Sequence, residues 1–136
     1  MRLQAAIFLC LIASLPAAAQ ELNCDQPENL PQQGMNMCAF EDWQKADRAL
    51  NEAWPKVRAW AKANDEATIE WRPELADTED NLLKAQRAWI AYRDGHCETE
   101  GLRYAGGSIV PLIVNSCKAE MTRQRTEELI LLLEDG

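Results

Sequence analysis

The chain holds a single histidine, His96, and no Cys-x-x-Cys pair. Structural zinc is held by such pairs and by several imidazoles, so neither metal nor cofactor is expected. Basic residues are scarce: 14 Lys and Arg face 22 Asp and Glu, a formal charge of −8. A nucleic-acid binder, or a protein seated on an anionic membrane, wants the opposite sign. Long apolar runs are lacking as well. Residues 3–15 come nearest, and they fall short of the roughly 20 residues that span a bilayer.

Catalytic groupings are equally thin. A general base needs an orienting partner, and a triad needs a nucleophile within reach. Asp94, Glu98 and Ser108 lie near His96 in sequence, but no spacing arranges them. Carboxylate pairs suited to glycoside hydrolysis can be drawn from any acidic chain and mean little here. Gly106-Gly107-Ser108 lacks the lysine and the preceding strand of a phosphate loop. The sequence therefore reads as a non-enzyme.

The chain opens with a processing signal over residues 1–19. Arg2 gives a basic start, residues 3–15 are apolar apart from Gln4 and Ser14, and Ala17-Ala18-Ala19 offers small residues for cleavage. Cys10 lies inside the apolar run and not after a cleavage box, which argues against a lipid anchor. Residues 20–136 then form one mature domain without a membrane span. Loss of Arg2 takes the formal charge from −8 to −9. Such a surface suits a basic partner, or it simply keeps an exported protein in solution.

Four cysteines remain: Cys24, Cys38, Cys97 and Cys117. An even number in a short exported chain implies two disulfides, with three possible pairings. Closeness in sequence favours Cys24–Cys38 with Cys97–Cys117.

The central stretch is residues 86–97. Gln86, Trp89 and Arg93 are spaced i, i+3, i+7 and share one helix face, flanked by Ala85 and Tyr92. Gly95 sits where a helix would stop, and His96 would then meet the last carbonyls. Upstream, residues 21–36 form an irregular arm rich in Pro, Asn and Gly. Asn36 offers a cap for a first helix. Its stripe is Ala39, Phe40, Trp43, Ala46, Leu50, Ala53, Trp54, Val57 and Trp60, with a kink or an end expected at Pro55. A second helix starts near Pro73 or Thr78, with Leu75, Leu82, Ala85, Gln86, Trp89 and Tyr92 inside, and runs to Asp94. Residues 98–110 read as a loop, and Pro111 opens a third helix. The fold class is all-α, a small three-helix bundle with an irregular N-terminal arm and two disulfide staples.

Two surfaces are candidates for a partner. Residues 65–80 carry seven acids, Asp65, Glu66, Glu70, Glu74, Asp77, Glu79 and Asp80, against Arg72 alone. Trp71 interleaves with them, as interface aromatics do. The plainer reading is a solvated connection whose last acids cap the next helix. The second surface is the loop carrying Gly106, Gly107 and Ser108, which can enter a cleft.

Three motifs carry a resemblance: Ala46-Asp47-x-x-Leu50-Asn51, Gln86-x-x-Trp89-x-x-Tyr92-Arg93-x-x-x-Cys97, and Cys117-x-x-x-x-Thr122-Arg123-x-Arg125-x-x-x-Leu129. In these the chain resembles the LprI-type lysozyme inhibitors, small exported helical proteins with paired cysteines. The resemblance implies a periplasmic protein and, for some members, inhibition of lysozyme. It implies a structural role for Gln86, Trp89, Tyr92 and Arg93. The function expected is inhibition of lysozyme or a related basic cell-wall hydrolase. The alternative is a non-enzymatic envelope protein that docks another partner.

Overall fold

A computed structural model describes residues 22–134. Residues 1–19, where a processing signal is expected, lie outside the described residues. A 3-10 turn at Pro27–Asn29 leads into α1 (Gln32–Ile69); a second 3-10 turn, Pro73–Leu75, leads into α2 (Thr78–Leu102); and α3 (Val110–Glu134) follows. No strand occurs among the described residues.

Small side chains decide how these helices meet. Ala39, Ala46, Leu50, Ala53, Val57 and Ala61 form the buried stripe of α1 at spacings of three, four and seven. Alanines let a neighbour approach closely, and α3 answers with Ala119, Thr122, Thr126 and Leu129. These two helices share the most extensive contact in the molecule, while α1 and α2 touch least. Leu50, Val57, Ala61, Leu82 and Leu129 make the apolar core, with Trp54, Trp60, Trp89 and Leu133 packed against it. Full burial of each large aliphatic contributes about 1.5–3 kcal/mol.

The helices run up, down and up. Asn64 on α1 bonds Thr78 at the start of α2, and Gln86 on α2 bonds Arg125 on α3. The disulfides are Cys24–Cys38 and Cys97–Cys117, the pairing that closeness in sequence favours. The first ties the N-terminal arm to α1, and the second ties α2 to α3 near the same end. Each such bridge contributes about 2–4 kcal/mol, a large share for a core this modest.

Four expectations about helix ends need correction. Asn36 does not cap α1, which begins directly after Pro31. Asn36 instead sits one turn inside, accepting from Gln32 Nε2 at 2.8 Å and donating to the Ser108 carbonyl at 2.9 Å. Pro55 does not end α1. It lies on the exposed face, where a carbonyl that loses its donor reaches water, and the buried stripe continues on both sides of it. Gly95 does not end α2. Its backbone stays helical because Cys97 and Gly101 prolong the buried row of Arg93 at steps of four. Burying them outweighs the roughly 1 kcal/mol that glycine costs a helix. The loop between α2 and α3 is accordingly shorter than residues 98–110, and its one positive-φ residue is Gly106, at 84°.

At Gly101, α2 packs tightly against α3. A Cβ there would lie 2.5 Å from Val114 Cγ2. No larger residue fits without moving a stiff, β-branched neighbour.

Candidate functional site

Arg93 organises the inner side of α2. Its side chain is 7% exposed. The guanidinium lies 5.1 Å from the Trp89 ring centre and 5.9 Å from that of Trp43. It donates to Asp94 Oδ1 at 2.9 Å and to Thr122 Oγ1 at 3.2 Å, with Asp47 at 3.9 Å. A cation is thus held between two rings and two carboxylates, linking all three helices. Gln86, also buried, accepts from Arg125 Nε at 3.0 Å, which answers the need of a polar group on an apolar face. These contacts are scaffold contacts.

Tyr92 stands apart from Gln86, Trp89 and Arg93. It is 61% exposed, about 100° around α2 from Arg93. Its ring stacks on His96, with centroids 5.5 Å apart and planes 24° apart. The two rings form one wall of an open groove of about 520 Å³ between α2 and α3, lined also by Trp89, Glu100, Glu120 and Arg125. His96 lies within α2 and not at its end, and its Nε2 is 3.4 Å from Glu100. His96, Glu100 and Cys117 each bring a potential ligand atom within 4.8 Å of the others. The Cys117 sulfur is bonded to Cys97, however, and it is the free thiolate that ligates metals.

The 65–80 segment forms the tip beyond the bundle. Asp65 is drawn inward there: its two carboxylate oxygens accept from the Thr78 and Glu79 amides at 2.7 and 2.9 Å. It thereby caps α2, whose own Asp77 makes no such bond. The Glu79 amide is the main cause that lowers the Asp65 pKa from its ordinary value, with Thr78 assisting. Glu79 pairs with Arg58. Arg72 binds Glu74, lowering the Glu74 pKa, and lies 6.0 Å from the Trp71 ring. Trp71 is 68% exposed, with Ile69 and Leu75 also exposed beside it. Glu66 and Glu70 project to solvent.

The Gly106-Gly107-Ser108 loop lies at the opposite end of the bundle. It is exposed, but the bond from Asn36 to the Ser108 carbonyl ties it to α1. The two candidate surfaces are therefore not brought together. The Tyr92–His96 groove is a third surface, which an inward reading of Tyr92 hides. A helix turns by about 100° per residue, which puts Arg93 in line with Gln86 and Tyr92 well away from it.

Fold and site together define a small helical scaffold protein, stapled twice by sulfur, with acidic and aromatic groups displayed on its outside. Comparison with known proteins narrows that class. The family model for the lysozyme inhibitor LprI matches residues 24–129, and the chain belongs to that family. An uncharacterized protein of Rhizobium meliloti (strain 1021) is 41% identical over 131 residues, covering 96% of this chain and 94% of the relative. No solved structure matches.

Proposed function

We propose that this protein is exported by way of residues 1–19 and inhibits lysozyme, or a related basic cell-wall hydrolase, by binding it. The observation that carries the reading is membership of the LprI family. Three features support it. The acid excess favours a cationic target. Two disulfides keep a small core rigid outside the cell. No helix among the described residues is long and apolar enough to cross a membrane. On this reading the protein works as a preformed negative surface, and steering makes association fast and salt-sensitive.

The test is lysozyme-driven lysis of peptidoglycan with purified protein at stoichiometric amounts, repeated along a salt series. Inhibition at micromolar concentration that weakens with added salt is expected. Absence of inhibition at micromolar protein and low salt would overturn the reading.

A further inference from the structure

The chain builds the same small device twice around its own arginines. Arg93 is held by Trp89, Trp43 and the Asp94 carboxylate. Arg72 is held by Trp71 and the Glu74 carboxylate. In each, an aromatic face and an acid together grip a cation. The first also takes the Lys118 ammonium, 5.1 Å from the Trp43 ring and 3.7 Å from Asp94. A planar guanidinium stacks on such rings more readily than an ammonium does.

A third copy of the device lies in the α2–α3 groove, and it holds no arginine over its rings. Tyr92 and His96 supply the stacked aromatic wall. Among the described residues no Lys or Arg lies over Tyr92. Three carboxylates, Glu100, Glu120 and Glu128, line the groove with one guanidinium, that of Arg125. Arg125 is already engaged by Gln86 and Glu128, and Glu120 by Arg123 and Gln124. Among the described residues the Glu100 carboxylate has only His96 Nε2, at 3.4 Å. Tyr92 is 61% exposed, and His96 links its ring to the Glu100 carboxylate along the wall of the groove.

We propose that the Tyr92–His96–Glu100 groove is the socket for an arginine side chain of the basic protein that this chain binds. The inference deepens the inhibitor reading and rests on it for the identity of the partner. The guanidinium enters the groove against the Tyr92–His96 ring pair, with the Glu100 and Glu120 carboxylates of the same lining as its acceptors. The tip is the poorer socket, because Arg72 already occupies Trp71 and Glu74.

Two measurements test this. In the first, the full protein is titrated with acetyl-arginine amide and, separately, acetyl-lysine amide, while NMR follows the ring protons of Tyr92 and His96. A saturable shift is expected, larger for arginine. In the second, lysozyme affinity at low salt is compared for wild type, Tyr92→Ala, Tyr92→Phe, Glu100→Gln and Trp71→Ala. Tyr92→Ala should weaken binding by about fivefold to thirtyfold, the range of a desolvated cation–π contact. Glu100→Gln should weaken it too, while Tyr92→Phe and Trp71→Ala should stay near wild type. Absence of a shift with arginine amide overturns the socket, as does wild-type affinity in Tyr92→Ala and Glu100→Gln. If arginine amide binds and lysozyme does not, the socket stands and the inhibitor reading falls.

Discussion

Tyr92 and Arg93 are neighbours in sequence, yet the turn of about 100° between them sends one to solvent and the other into the bundle. Arg93 is a full charge turned into the bundle, enclosed by two tryptophans, two acids and a threonine hydroxyl. Tyr92 is an apolar ring turned to solvent, stacked only on His96. Hydrophobicity alone would assign them the other way round. The difference teaches that a charged residue can be the better core residue when rings and acids surround it. It also teaches that an aromatic left outside such a frame is available for something other than folding.

The strongest way to break this comparison is on the inner side. Arg93→Ala removes a long buried stem and strands the Thr122 hydroxyl, so a loss of roughly 3 kcal/mol in unfolding free energy is expected. Most of that loss is packing, because Asp47 and Asp94 are each more than 40% exposed and their ion pairs are screened. Tyr92→Ala, one residue away, should cost no more than about 0.5 kcal/mol. Urea denaturation of the two variants checks both figures. Equal losses would erase the distinction between the two faces.

A smaller effect is expected at Gly101. An alanine there places its Cβ against Val114 Cγ2, and the Cys97–Cys117 bridge one turn away keeps the helices from parting. The expected cost is about 1–3 kcal/mol. Gly101→Ala combined with Val114→Ala should recover part of it, which denaturation of the double variant would show. No recovery would mean that the loss lies elsewhere than in the contact between α2 and α3.

How much of this was legible in the chain depends on the kind of signal. The three helices follow from apolar spacing, and the pairing of Cys24 with Cys38 and Cys97 with Cys117 follows from proximity. The inward turn of Gln86 and Arg93 follows from their seven-residue separation. Helix ends were legible only where no tertiary contact overrode the local signal. Gly95 reads as a stop because glycine is a poor helix former, but Cys97 and Gly101 needed a helical frame to reach α3. The inner face of α3 was hidden by chemistry: Thr122 and Thr126 read as polar, yet both are buried. Thr122 accepts from Arg93, and Thr126 back-bonds to the Thr122 carbonyl at 2.8 Å. The α2–α3 groove was missed for an angular reason, since Tyr92 sits close to the inner face in sequence and far from it in rotation. The double duty of Asp65 was invisible because its partners lie 13 and 14 residues away.

Asp65 offers the mildest test, at the far end of the helix that carries both faces. Its carboxylate accepts two amides at the positive end of α2, and those bonds lower its pKa below the ordinary 3.8. A group whose folded pKa is depressed adds stability that is fully present above its unfolded pKa. That stability is lost as pH falls through the lower, folded value. Wild type should therefore exceed Asp65→Asn in thermal midpoint by a constant margin from about pH 6 to 8, and the margin should close below about pH 4. The margin should be smaller than that of Arg93→Ala, because the carboxylate is screened by water. Thermal melts of both proteins across this range check the sign. Lysozyme affinity at neutral pH then sharpens the comparison of faces. An unchanged affinity in Asp65→Asn leaves Asp65 to the frame, with Arg93. A weakened affinity in a protein still fully folded would add the tip to the binding surface, beside Tyr92.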